Sequence, residues 1–260
     1  MHDLPEAFLR FFPLTTLTQK VFLALARKSA DMVVIVNDRF IDHLVPLGYK
    51  RKKLVVVMNS PPSHVPKPRA RHDPFKVLYY GWLGEERGVR LIVEASRGVG
   101  GITMTLAGRG ELEPWVREMS KSNPAIKFEG WLPMESLQPL IDEADLIPSL
   151  YEPRSKNAQL ATPGKLLSAL SLGIPVLVPS GSYQAELVER FNCGIVVTWG
   201  DVGQVRDSFA RLSTDRKLYD ELSVNARKAF EHQFSWEAMT ARLVSAYDGL
   251  LGRAQGRPNK

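Results

Sequence analysis

Disulfides cannot hold this chain together, because its 260 residues include one cysteine, Cys193. That usage suits a reducing compartment. No uninterrupted apolar run approaches the ~20 residues that cross a bilayer as a helix. The opening stretch MHDLPEAFL has no basic region followed by an apolar core, so a cleaved secretory signal is not expected. The five histidines all lie outside Lys76–Arg227, and no spacing of His, Cys, Asp and Glu reads as a metal site, so no metal and no bound cofactor are expected. Basic runs occur at Lys50-Arg51-Lys52-Lys53 and between Lys67 and Arg71. Neither interleaves aromatics as a single-strand binding platform would, and nucleic acid is not an expected partner.

What is present reads as a folded, cytoplasmic protein. A hydrophobic share of 44% against 24% charged residues excludes global disorder, and a net charge of +6 favours anionic ligands or an acidic surface. From Lys76 onward, short β-branched runs alternate with helical patterns. VLYYG, ITMTLAG, IKFEG, DLIPSL, IPVLVP and GIVVTW are each followed by an amphipathic segment. That alternation predicts an α/β domain with a doubly wound parallel sheet covered on both faces, whose ligands lie off the carboxyl ends of the strands.

Before it, DMVVIVN and KLVVVMN predict two buried strands around a helix through RFIDHLVPLG, preceded by an amphipathic helix over Thr15–Ala30. Two strands alone do not make a stable sheet. Residues 1–59 therefore read as the end of an incomplete α/β domain, 60–75 as a proline-rich linker and 76–232 as the main domain. A long helix over 233–251 and a disordered tail over 252–260 complete the expected organisation.

The stretch ATPGKLLSALSLGIPVLVP carries the clearest chemical signal. Thr162 can cap a helix, Pro163 suits its first position, and Gly164 lets a ligand approach the backbone. Free N–H groups, the helix dipole and Lys165 together describe a phosphate site. An ordinary capped helix with a solvated lysine is the other reading. In LAGRGEL, Gly108 and Gly110 follow a strand and open a helix, but position 113 is Glu, so the dinucleotide fingerprint is incomplete.

In order and spacing, ADMVVIVN, LVVVMNSP, YYGWLGEERGVRLIVEA, MTLAGRGELEPWV, IKFEGWLPMESLQPLIDEADLIPSLYEP, TPGKLLSALSLGIPVLVP and FSWEAM resemble the glycosyltransferases of the GT-B fold called family 4. The resemblance covers about Ala30 to Tyr247. It implies a Rossmann-like C-terminal domain that binds a nucleoside-diphosphate sugar, with most of an N-terminal acceptor domain missing. It also implies a final helix, near Trp236, that crosses back to the N-terminal domain, and transfer that retains anomeric configuration without a metal.

Carried over residue by residue, the resemblance gives a donor site. Family members commonly hold the diphosphate with an Arg in a Gly-Arg-Leu turn and a Lys before the next helix. Here those positions are Trp82, between Gly81 and Leu83, and Arg87. One cation is kept and one lost, and Trp82 either stacks on a ligand or fills the cleft between domains. The turn at Gly108 and Gly110 sits beside the nucleotide, and the segment at Trp131 and Leu132 reads the base through its backbone. Pro163, Lys165, Gly173 and Pro175 fit the donor loop. The Glu expected to bind the ribose is Ser168, and Glu152 is the counterpart of the other member of the family's glutamate pair.

Three functions remain at this level, two of them stronger. One is a retaining hexosyltransferase acting on a glycan or lipid-linked acceptor of the cell envelope. It would draw on a separate N-terminal acceptor-domain chain and touch a membrane peripherally. The other is a degenerate nucleotide-sugar-binding subunit, favoured by Trp82 and Ser168. A GT-B epimerase is a third and weaker option.

Overall fold

The computed structural model describes residues 21, 24–25, 27–62, 71–155, 159, 162 and 164–255. The start of the Thr15–Ala30 helix, the middle of the 60–75 linker, Pro163 and the last five residues of the tail lie outside them.

Strands β1 (Val33–Ile35) and β2 (Leu54–Val56) pair in parallel around helix α1 (Arg39–Leu44). The main sheet then builds from β3 (Phe75–Trp82), β4 (Ile102–Arg109), β5 (Ile126–Gly130), β6 (Ile147–Pro148), β7 (Val176–Pro179) and β8 (Gly194–Val197). Its halves run in the orders β3-β4-β5 and β6-β7-β8, all parallel. A bridge between Val77 and Leu146 joins them, and the Leu78 N–H donates to the Leu146 carbonyl at 3.0 Å. The strand order therefore reverses at the β3/β6 junction, which is where a sheet of this kind opens a crevice at its carboxyl edge.

The helices are α2 (Val89–Ser96), α3 (Glu113–Ser122), α4 (Met134–Glu143), α5 (Gly164–Ser171), α6 (Tyr183–Phe191), α7 (Val202–Thr214), α8 (Arg216–Ala229) and α9 (Trp236–Gln255). They cover both faces. Val77 and Tyr79 of β3 face a core with Ile92, Val116 and Phe209, while Leu78 faces another with Leu137, Leu166 and Leu187. Side chains alternate across a strand, so a strand buried on both faces must be apolar throughout, as VLYYG and IPVLVP are.

Helix α8 is an element the sequence reading did not anticipate. The Asp215 carboxylate accepts from the Leu218 N–H at 3.0 Å and caps it, and Tyr219, Leu222 and Ala226 are buried. Helix α9 returns to the N-terminal segment. The Trp236 N–H donates to the Pro61 carbonyl at 3.3 Å, and Met239 packs under Met58, whose N–H lies 3.1 Å from the Met239 sulfur. It continues to Gln255, so the tail expected from 252 is helical for its first residues, there being no proline before Pro258 to stop it.

Candidate functional site

The crevice at the β3/β6 junction collects its side chains by close backbone packing. A Cβ on Gly88 would lie 2.8 Å from the Leu150 Cβ and 2.9 Å from the Leu150 carbonyl oxygen, and φ there is +66°. Only glycine meets both conditions. Its fit lays the Glu85–Arg87 turn against the end of β6, where the Glu152 N–H donates to the Glu86 carbonyl at 2.9 Å. Arg87 thereby sits with its guanidinium 4.4 Å from the Tyr151 ring centre, its Nε donating to Glu86 at 3.2 Å.

Lys165 enters the same space from the first turn of α5. It is buried, with Nζ 4.1 Å from the Tyr79 ring centre, 5.4 Å from that of Tyr151 and 5.8 Å from that of Tyr80. No ion pair to Lys165 occurs among the described residues. Burial, and then the charge of Arg87, bring its ammonium down to about 7. Aromatic faces attract a cation but do not replace a counter-ion, so a desolvated ammonium beside a second cation is a place waiting for an anion. The solvated-lysine reading of ATPGKLL is overturned by this burial.

Neighbouring hydroxyls complete this end of the site. Tyr79 donates from its hydroxyl to the Trp82 carbonyl at 2.6 Å, which fixes the end of β3. Ser168 shares a hydrogen bond with the Tyr80 hydroxyl, although burial still pushes that phenol up to about 12. Burial also raises Tyr151. Thr162 does not cap α5: its Oγ1 is buried and has no hydrogen-bond partner among the described residues, and the helix begins at exposed Gly164. Glu152 is half-buried and is held by its backbone.

Across Gly81 lies a cavity of about 250 Å³, lined by Tyr80, Gly81, Trp82, Ala107, Gly108, Arg109, Trp131, Leu132 and Leu137. A Cβ on Gly81 would be 3.8 Å from Lys165 Nζ, so cavity and ammonium are neighbours. Trp82 and Trp131 keep 49% and 61% of their surface exposed, which sets Trp82 on the cavity wall. Gly108 and Gly110 let the strand ends close up: Cβ atoms there would fall 1.9 Å from the Gly81 carbonyl oxygen and 2.5 Å from that of Leu83. Gly108 lines the cavity; Gly110 faces a separate shallow groove with Glu113 and Arg117.

Of the residues expected at the site, Gly81, Trp82, Gly108, Trp131 and Leu132 meet in this cavity, while Arg87 and Lys165 meet beside it. Sequence reasoning missed Tyr79, Tyr80, Tyr151 and Arg109. The signal was the placement of Tyr79-Tyr80 and Arg109 at the carboxyl ends of two adjacent central strands, where Trp82 and Arg109 stand in register.

Residues 74–215 match the family model described as Glycosyl transferases group 1. The chain belongs to this family. WcaL of Escherichia coli K12, named as a colanic acid biosynthesis glycosyltransferase, is 25% identical over 239 residues, 86% of this chain and 58% of WcaL. The amylovoran biosynthesis glycosyltransferase AmsK of Erwinia amylovora is 27% identical over 190 residues, 70% of this chain and 46% of AmsK. The group 1 chain thus spans about half the length of the curated relatives it matches. Among solved structures, Alr3699/HepE of Anabaena in complex with UDP superposes with a TM-score of 0.72 at 17% identity, covering 95% of this chain and 70% of that one. That likeness shows the fold, the GT-B arrangement with parallel Rossmann-like sheets that the sequence predicted. Among the described residues of this group 1 member, no group of three or more His, Cys, Asp or Glu could hold a metal ion, and no helix is long and apolar enough to cross a membrane.

Proposed function

We propose that this chain is the donor-binding part of a retaining glycosyltransferase, which transfers a hexose from a nucleoside-diphosphate sugar to a glycan or lipid-linked acceptor. The carrying observation is the buried Lys165 ammonium, paired with no carboxylate among the described residues, beside Arg87 at the sheet's switch point. A nucleotide lying across this site places its diphosphate at the two cations. Its ribose falls by Ser168 and Tyr80, and its base in the cavity between Trp82 and Trp131.

The chemical contribution follows from charge. As the bond from the sugar to the diphosphate breaks, negative charge grows on the departing phosphate oxygens. Lys165, Arg87 and the free N–H groups opening α5 stabilise it most where water is excluded. Ser168 offers the ribose a single hydroxyl where a carboxylate would offer two acceptors, so ribose recognition contributes less here than family membership alone implies. Trp82 leaves the second cationic role to Lys165, which reaches the same strand end from α5.

The acceptor side calls for further structure. Among the described residues β1 pairs only with β2, and Val34 and Val36 remain 47% and 42% exposed. An acceptor domain adding strands beside that edge and packing on the face that Val34 and Val36 share would cover them, whether on the same polypeptide or on a partner chain. The names of WcaL and AmsK support a cell-envelope glycan as product, and a cytoplasmic, membrane-peripheral setting suits a lipid-linked acceptor. The same exposed edge favours the second reading, a binding subunit that works only with its partner.

Isothermal titration of the full chain with UDP, GDP, ADP and their sugar conjugates tests the donor site. Saturable binding weakened by Lys165→Met and Arg87→Ala is the expected result. A folded protein that binds none of these ligands contradicts it.

A further inference from the structure

We propose that Arg109 selects the base of the donor, favouring a base with a carbonyl oxygen on its edge, uracil or guanine, over adenine. The inference rests on the donor site described above and names its specificity. Arg109 closes β4, in register with Trp82 on β3, and forms part of the cavity wall. Its guanidinium carbon lies 5.9 Å from the Trp131 ring centre. Neither an ion pair nor a hydrogen bond engages that guanidinium among the described residues. The indole, at the outer reach of a cation–π contact, orients the exposed group while leaving its N–H donors open to a ligand.

Among the side chains of the cavity Arg109 is the discriminating group, acting beside the Trp131-Leu132 backbone to which the family resemblance assigns the base. Trp82, Trp131, Leu132 and Leu137 present aromatic or apolar surface, which stacks against any base with little preference. Apart from the two indole N–H groups, Tyr80 is the other polar side chain of the lining, and its hydroxyl, which bonds Ser168, both donates and accepts and so suits either kind of base edge. A guanidinium has donors and no acceptor. It matches O6 and N7 of guanine as a pair, and O4 of uracil singly. Adenine sets an amino group where guanine has O6, and that donor would meet donors. Placement agrees with this role: Tyr80 touches both compartments, its ring centre 5.8 Å from Lys165 Nζ and its side chain on the cavity wall. A diphosphate held at Lys165 thus leaves the base facing Arg109.

The test is titration calorimetry of the 260-residue chain and of its Arg109→Gln variant with UDP, GDP, ADP and inorganic pyrophosphate, after a melting curve shows both proteins folded. In the wild type, UDP or GDP should bind about tenfold or more tightly than ADP, the discrimination expected of one good base-edge contact; the two ligands show which keto base is taken. Arg109→Gln should lose that preference while pyrophosphate binding stays within about twofold, because the substitution leaves Lys165 and Arg87 in place. Equal weakening of all four ligands would assign Arg109 to the phosphates and overturn the inference. So would an unchanged preference, or tighter binding of ADP by the wild type. Absence of binding by every ligand, pyrophosphate included, would instead remove the donor site itself, and base selection with it.

Discussion

The two ends of the crevice are built on opposite principles. Around Lys165 the walls are closed and aromatic, Arg87 adds a second cation across the Tyr151 ring they share, and no carboxylate of the described residues answers the lysine. Around Trp131 the walls are open, the indoles stand partly in solvent, and the Arg109 guanidinium lies 5.9 Å from the ring centre of one of them. A closed cationic end holds a ligand by electrostatics made strong through desolvation, at a cost to the empty fold. An open aromatic end costs the fold little and contributes shape and edge recognition. Affinity should therefore reside at the first end and selectivity at the second.

Breaking that division should have its largest effect at Lys165. Lys165→Met should weaken donor binding by about 100-fold, ~3 kcal/mol, the scale of removing one partner of a buried hydrogen-bonded charge pair. The same variant should melt at an equal or higher temperature, because an uncompensated buried charge has been replaced by an apolar chain of similar length. Calorimetry and a thermal melt on one preparation read both. Arg87→Ala comes next. Partly exposed, and already bonded to Glu86, it should cost about tenfold in donor affinity, as a charge-assisted contact does.

A pH series sharpens the contrast at one end only. With the lysine brought down to about 7 in the empty fold, against an ordinary value of 10.5, the unfolded chain binds the extra proton between those limits. Stability of the ligand-free protein should therefore rise with pH across that window, and Lys165→Met should abolish the rise. Binding should move the opposite way, because the diphosphate needs the ammonium: affinity should be highest near pH 7, where the phosphates are still ionised, and fall by up to about tenfold per pH unit above it. Calorimetry in buffers of differing ionisation enthalpy would show the accompanying proton uptake. Trp131→Ala should have the smallest effect, about three- to tenfold in nucleotide affinity with pyrophosphate unchanged, the scale of one lost stacking surface at an open site.

How much of this was legible in the sequence follows from what each signal depends on. The strands of the main sheet were readable because burial on both faces writes an apolar run into the chain itself, as in VLYYG and IPVLVP. Helix α8 was legible and passed over: its buried Tyr219, Leu222 and Ala226 recur at helical spacing among charged residues, the pattern of a helix with one face on the core. The lysine of TPGK was read as an anion-binding candidate, but its environment was not foreseen: Tyr79, Tyr80 and Tyr151 come to it from two other strand ends, and only the fold brings them together. Thr162 shows the reverse error, a good capping residue by type whose hydroxyl does not cap. Gly108 and Gly110 suggested a nucleotide loop, yet their immediate necessity is the close approach of Gly81 and Leu83.

Anion binding at the donor site should depend on the buried ammonium of Lys165. Titration of UDP and GDP into wild-type and Lys165→Met protein at pH 6.5 and 8.5 decides whether it does. Saturable binding to the wild type, weaker at the higher pH and lost with the pH dependence in the variant, is the result predicted. Equal affinity in the two proteins, or no binding to a folded wild type, would contradict it.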